Sequence, residues 1–168
     1  LEADWQLHEL SYDTALLTTI QPILRQGKWG VTVAVRNAET IVAIWPGLKE
    51  AIYGVAVDVG STTIAAHLCN ISSGEVLASA GVMNPQIRFG EDLMSRVSYV
   101  MMNPGGEVDM TNAVREALNG LVVDLAKQVQ CEVTDVLEIT FVANPIMHHL
   151  LLGINPVELG GAPFALAT

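Results

Sequence analysis

The residues with the clearest chemical potential are a short turn, Gly60-Ser61-Thr62-Thr63, and the nearby carboxylate of Asp58. Glycine permits a tight turn and close approach of a ligand to the main chain, and the N–H groups that follow can converge on phosphate oxygens. The three hydroxyls add neutral donors. Asp58 lies in an otherwise apolar segment, where a carboxylate is costly to bury unless it is paired or near a cation. Together these residues predict a site for a metal–phosphate group, with Asp58 holding Mg²⁺ directly or through water.

The same residues also have a simpler interpretation, which is an ordinary hairpin turn capped by Asp58. Two well-known phosphate motifs do not fit, because the sequence has no G-x-x-x-x-G-K-[ST] loop and no G-x-G-x-x-G between a strand and a helix. A phosphate loop between two antiparallel strands points instead to the actin–hexokinase–chaperone class of ATPases.

The elements that must position this turn are predicted from the periodicity of apolar residues. Three strands joined by tight turns form an antiparallel meander, followed by two helices, a buried strand and a last helix; the predicted ranges are 55–59, 62–71, 75–82, 92–101, 107–129, 137–142 and 145–152. A small α/β element precedes them, with a helix over 11–26 that Pro22 weakens or splits and strands over 31–35 and 41–45. The boundary falls near Pro46-Gly47, which divides the chain into residues 1–50 and 51–168. The fold class is therefore α/β with a mixed sheet.

Composition and charge narrow the function classes. Apolar residues make up 51% of the 168 residues, which is typical of an ordered chain with a sizeable core, and the net charge of −10 argues against nucleic acid or an anionic membrane as partner. A local nest of N–H groups still allows ATP to bind. The sequence shows no signal peptide and no apolar run long enough to span a bilayer, so we expect a cytoplasmic protein. Its two cysteines, Cys69 and Cys131, do not have metal-ligand spacing.

Three spaced motifs resemble one subfamily of actin-like ATPases. The stretch GVAVDVGSTT (54–63) looks like the first phosphate motif of the superfamily, NPQIRFGEDLMSR (84–96) resembles an N-x-Q-x-x-x-G-x-D-x-x-x-R pattern, and VANPIMHH (142–149), followed by Gly153, Pro156 and Ala162-Pro163-Phe164, resembles a later signature. The subfamily is that of the reductive activators of corrinoid proteins and their uncharacterised relatives. The resemblance covers about two thirds of the chain, from Tyr53 to Phe164.

The resemblance implies a ribonuclease H-like ATPase lobe that uses ATP and Mg²⁺. In that family a [2Fe–2S] ferredoxin-like domain comes first, then a linker and a small middle domain, then the ATPase domain. Residues 1–50 correspond to the end of the middle region and residues 51–168 to an incomplete first lobe. We therefore expect a fragment that lacks the cluster and the second phosphate loop, does not turn over ATP alone, and is able to form a homodimer through its exposed apolar surface.

The resemblance also implies roles for polar residues outside the turn. Asn144, between a strand and a helix, either orients the attacking water, as polar residues at this connection do in actin-like ATPases, or caps the helix. Arg88, Asp92 and Arg96 form a charged cluster that faces the cleft or a partner, or Asp92 and Arg96 form an i,i+4 surface pair, which the spacing slightly favours. The neighbouring His148 and His149 point in different directions on a helix and make a poor metal pair.

The implied function is delivery of an electron to an inactive Co(II) corrinoid protein by an ATPase whose conformational change drives an uphill step. Two alternatives stay open. One is a small-molecule kinase of the same superfamily, which requires an aspartate base and an acceptor hydroxyl in the cleft. The other is a non-enzymatic actin-like scaffold in which nucleotide controls assembly. A cysteine cluster of ferredoxin spacing upstream in the gene favours the activator over both.

Overall fold

A computed structural model of the chain describes residues 5–7 and 9–166. The chain divides into two compact units, residues 1–52 and 53–168, each with its own sheet.

The first unit combines a helix with a small mixed sheet. Its elements are β1 (Ser11–Tyr12), α1 (Thr14–Gln26), β2 (Val31–Arg36) and β3 (Thr40–Pro46). β3 lies in the centre of the sheet, antiparallel to β2 and parallel to β1. The two strands predicted over 31–35 and 41–45 are confirmed.

Two details of the predicted first helix are wrong. The helix does not begin at Ser11, because Ser11 and Tyr12 pair with β3, and Asp13 caps a helix that starts at Thr14 by accepting a 2.8 Å hydrogen bond from the N–H of Ala15. Pro22 does not split the helix, which continues to Gln26. A proline disrupts one hydrogen bond of a helix and clashes locally, and packing of the remaining turns against β3 outweighs that loss here.

The second unit has the predicted order of three strands, two helices, a strand and a helix. Its strands and α-helices are β4 (Tyr53–Val59), β5 (Thr63–Asn70), β6 (Val76–Met83), α2 (Leu93–Met102), α3 (Gly106–Val129), β7 (Val136–Ala143) and α4 (Pro145–Leu152). A 3₁₀ helix over Pro85–Phe89 occupies the polar stretch between β6 and α2. Among the described residues, no helix is both long enough and apolar enough to cross a membrane.

The sheet of the second unit is mixed, in the order β6-β5-β4-β7. β4, β5 and β6 form the predicted antiparallel meander, and β7 pairs in parallel with β4. In this register Val59 lies opposite Ala143, so β4 and β7 end at the same edge of the sheet. The turn after β4 and the start of α4 are therefore neighbours.

One face of this sheet carries the core. Val55, Val57 and Val59 are buried on it, and their side chains alternate with Ala56 and Asp58, which point to the opposite, open face. The core also takes in the apolar faces of α2, α3 and α4, including the fully buried Leu125 of α3. The helices thus support the sheet from one side and leave the edge beyond β4 accessible.

Candidate phosphate-binding site

The turn Gly60–Thr63 connects β4 to β5. The N–H of Gly60 donates a 3.1 Å hydrogen bond to the carbonyl oxygen of Thr63, which closes the turn. A Cβ atom on Gly60 would lie 2.6 Å from that oxygen, so any side chain here forces the main chain to shift. Within the described residues, the N–H groups of Ser61 and Thr62 have no hydrogen-bond acceptor. Unpaired N–H groups on an accessible turn are what an anion site requires.

Asp58 lies on the open face of the sheet, not in the core. Its side chain is exposed. The sequence argument that burial makes this carboxylate costly unless it is paired or near a cation therefore does not apply. The reason is the period of two along β4, which places Asp58 on the face opposite Val57 and Val59. The alternative of a turn capped by Asp58 is also wrong. The hydrogen bond from Gly60 to Thr63 closes the turn, and among the described residues the side chain of Asp58 makes no hydrogen bond to it. The carboxylate is therefore available to a cation.

Asn144 ends the connection from β7 to α4 and is half-buried. Its Oδ1 accepts a 3.0 Å hydrogen bond from the N–H of Met147, so the predicted helix cap is confirmed. Pro145 follows at the first helical position, where a missing N–H is harmless. The cap uses the carboxamide oxygen, and the proposed contact of Asn144 with water stays a prediction.

Arg96 is completely buried, and the interpretation of Asp92 and Arg96 as a surface ion pair is wrong. Its Nε donates to the carbonyl oxygen of Gly90 at 2.9 Å, and its Nη2 donates to the carbonyl oxygen of Ser61. Burial lowers the pKa of the guanidinium, an effect that Asp92 partly opposes. Arg96 therefore contacts the turn on the side where the main-chain carbonyl oxygen of Ser61 points.

The other two charged residues of this stretch have separate environments. Asp92 is the N-cap of α2 and accepts a 2.7 Å hydrogen bond from the N–H of Ser95, which lowers the pKa of the carboxyl group. Arg88 is exposed, with its guanidinium carbon 4.7 Å from the centre of the Phe89 ring. Asp92 thus has a structural role, and neither residue shares the burial of Arg96.

Two further residues of the site, Asn84 and Gln86, belong to the 84–96 motif, and the sequence alone predicts no role for them. Both are buried. Asn84 donates from Nδ2 to the carbonyl oxygen of Gly60 at 2.8 Å, and from its main-chain N–H to that of Thr62 at 2.8 Å. Gln86 accepts a 3.4 Å hydrogen bond from Arg96 and donates to the carbonyl oxygen of Met110 at 3.0 Å. The feature of the sequence that could have identified them is the pair of amide side chains in the motif that directly follows β6.

The two neighbouring histidines differ in burial, which agrees with the prediction that they point in different directions on the helix. His149 is buried and its Nδ1 lies 2.8 Å from the carbonyl oxygen of Pro145, whereas His148 is exposed. In the part of the chain that the structure describes, no three His, Cys, Asp or Glu side chains are grouped as a metal site. A Mg²⁺ ion that accompanies a nucleotide needs only one or two carboxylates, since phosphates and water supply its other ligands.

Comparison with known proteins connects both units to one family. Residues 53–168 match the family model described as the RACo middle region, and residues 1–51 match the model of the RACo linker region. The corrinoid activation enzyme RamQ of Eubacterium limosum is 34% identical over 116 residues, which cover 69% of this chain and 20% of that protein. A solved structure of a reductive activator for corrinoid, iron–sulfur protein matches with a TM-score of 0.81 and 29% identity. The match covers 99% of this chain and 27% of the chain in that structure. The chain thus spans about a fifth of the first relative and about a quarter of the second.

Proposed function

The chain belongs to the RACo family, and on that premise we propose that it forms part of an ATP-dependent reductive activator of corrinoid proteins. The observation that carries the proposal is the match of nearly the whole chain to the fold of a solved reductive activator. In this proposal residues 1–50, which match the linker model, are the end of the small middle/linker domain. Residues 51–168, which contain the match to the middle-region model, are the first lobe of an actin-like, ribonuclease H-like ATPase domain. The intact protein, which is cytoplasmic, supplies the second lobe.

The nucleotide site of this lobe is the turn beyond β4. Gly60, Ser61, Thr62 and Thr63 hold the ATP phosphates through main-chain N–H groups and hydroxyls. The unpaired N–H groups of Ser61 and Thr62 and the exposure of Thr62 and Thr63 support this assignment. A phosphate loop between two antiparallel strands, as here between β4 and β5, is the arrangement expected of the actin-like class.

The residues around the turn fit a Mg²⁺–ATP complex. Asp58 is exposed near the end of β4 and binds the ion directly or through water. Asn144 follows the parallel strand β7 at the same edge and orients the attacking water. Bound Mg²⁺ supplies neutralisation of phosphate charge during hydrolysis. The chain's own residues hold the nucleotide and the water in place.

The iron–sulfur centre of the proposed activator lies outside this chain. A [2Fe–2S] cluster held by cysteines needs more thiolates than Cys69 and Cys131 provide. The role of this chain is therefore in the ATPase part of the reaction, which is coupled to delivery of one electron to the Co(II) centre of a corrinoid protein.

The proposal is tested with the intact protein and a Co(II) corrinoid protein, by following the visible spectrum of the corrinoid with an electron donor present. We expect reduction to Co(I) with MgATP and little reduction with ADP or without nucleotide. Reduction at the same rate without ATP would contradict the proposal. Transfer of the γ-phosphate to a small molecule would favour a kinase, and nucleotide-dependent assembly without reduction would favour a scaffold.

A further inference from the structure

Three successive carbonyl groups of the turn accept hydrogen bonds from two residues. The oxygen of Gly60 accepts from Nδ2 of Asn84 at 2.8 Å, and the oxygen of Thr62 accepts from the main-chain N–H of Asn84 at 2.8 Å. Between them, the oxygen of Ser61 accepts from Nη2 of Arg96. Every carbonyl from Gly60 to Thr62 is therefore engaged.

These bonds fix where the N–H groups of the turn point. A trans peptide is planar, and its C=O and N–H point in opposite directions. The only cis peptide in the described part of the chain is Ala162–Pro163, so the turn peptides are trans. With three carbonyls directed at Asn84 and Arg96, the N–H groups of Ser61, Thr62 and Thr63 are directed away from these two residues. That is the side on which a phosphate group can bind.

The two donors are themselves held in place. Asn84 and Arg96 are each fully buried. Oδ1 of Asn84 accepts a 2.9 Å hydrogen bond from the N–H of Gln86, and Nε of Arg96 donates to Gly90 at 2.9 Å. Both side chains also contact Sδ of Met147, from Nδ2 of Asn84 at 3.8 Å and from Nη1 of Arg96 at 3.1 Å. Because Met147 lies in the first turn of α4, the same contacts position the helix that Asn144 caps.

The charge of Arg96 adds to this arrangement. Among the described residues, no carboxylate lies within 4.0 Å of its guanidinium, and its partners are neutral. A buried cation with no carboxylate in direct contact is unfavourable, although Asp92 stabilises its charge at longer range, and it is stabilised further when an anion binds nearby. The lowered pKa of Arg96 agrees with this burial.

We propose that Arg96 and Asn84 are positioning residues, which orient the peptides of the turn so that its N–H groups face the phosphates of the nucleotide. The inference rests on the proposed function, since it assigns the residues that organise the same site. It explains why the carboxamide of Asn84 and the guanidinium of Arg96 are buried beside the turn. In the proposed function neither group contacts ATP directly.

The test measures equilibrium binding of MgATP and of adenosine by the intact protein and its variants. Arg96→Met removes the charge and the hydrogen bonds, and Arg96→Lys keeps the charge but loses the guanidinium fork. We expect both variants, and Asn84→Ala, to weaken ATP binding on the order of 10- to 100-fold while adenosine binding stays unchanged. Arg115→Met is the matched control, because Nε of Arg115 also donates to a main-chain oxygen, that of Leu151 at 2.9 Å, at the other end of α4.

The outcomes separate the inference from the proposed function. If the Arg96 variants keep the wild-type ratio of ATP to adenosine affinity, or lose both ligands equally, the positioning role is overturned and the ATP site stands. If the wild-type protein binds no ATP, the proposed function fails and the inference with it. Should Arg96→Met not fold, Arg96→Lys decides. Hydrogen–deuterium exchange of the wild-type protein is a further test, in which MgATP protects the amides of residues 61–63; binding without protection there overturns the proposal.

Discussion

The guanidinium of Arg96 donates a hydrogen bond from Nη2 to the main-chain oxygen of Ser61, across a separation of 35 residues. This bond joins the first turn of α2 to the turn between β4 and β5. It makes two motifs that are separate in the sequence, residues 54–63 and 84–96, parts of one structure.

Gly60 and Gly120 are expected to respond in opposite ways to substitution by alanine. A Cβ atom at position 60 meets the oxygen of Thr63 at 2.6 Å, whereas one at position 120, exposed in the middle of α3, meets nothing within 4 Å. Gly60→Ala should therefore lower the free energy of unfolding by about 1–3 kcal/mol, and Gly120→Ala should raise it by about 0.5–1 kcal/mol. Chemical denaturation of the chain measures both, and equal effects would contradict the geometry of the turn.

Asp58→Asn should impair activity without affecting the fold. The side chain is exposed, so the free energy of unfolding should change by no more than about 0.5 kcal/mol. If Asp58 binds Mg²⁺, ATP hydrolysis by the intact protein should fall on the order of 100-fold. The matched control is Asp124→Asn, which removes another exposed carboxylate, 3.7 Å from Lys127. Wild-type hydrolysis by Asp58→Asn at limiting Mg²⁺ would exclude the assigned role.

Asn144 is expected to have two separable roles. Asn144→Ala removes the cap of α4 and should cost about 1 kcal/mol of stability, whereas Asn144→Ser keeps an oxygen for the N–H of Met147 and should cost little. If the carboxamide also orients water, both variants should lose about 10- to 100-fold in the rate of ATP hydrolysis. Thermal unfolding and steady-state kinetics measure the two effects, and full activity of the serine variant would restrict Asn144 to capping.

Asp92 should make the stability of the chain depend on pH in the acid range. Its hydrogen bond from the N–H of Ser95 lowers its pKa below the ordinary value of 3.8. A lowered folded pKa means that the stabilisation is fully present above 3.8 and is lost as the pH falls through the folded pKa. Asp92→Asn keeps a neutral cap, so the stability of the wild type relative to this variant should decline below that pH. Parallel acid titrations of thermal stability would show it, and identical pH profiles would rule it out.

The order of elements in the second unit could be predicted because each element has a local pattern. Continuous apolar runs and turn residues marked the three strands of the meander, and a helical period marked α3. The Asn-Pro pair at positions 144 and 145 marked the start of α4 correctly. The start of α1 was missed because Ser11 and Tyr12 pair with Thr40 and Ile41, a contact distant in sequence that no local pattern records.

The sequence by itself determined the secondary-structure order, the turn at Gly60–Thr63 and the family resemblance, since all three depend on residue type and spacing along the chain. Only the tertiary structure decided the environments of Asp58 and Arg96. The carboxylate at 58 is exposed because of the face of β4 on which it lies, and the guanidinium at 96 is buried and donates hydrogen bonds to the main-chain oxygens of Ser61 in the turn and of Gly90. Burial and the partners of a charged group depend on which distant segments fold against it, and the local sequence does not encode that.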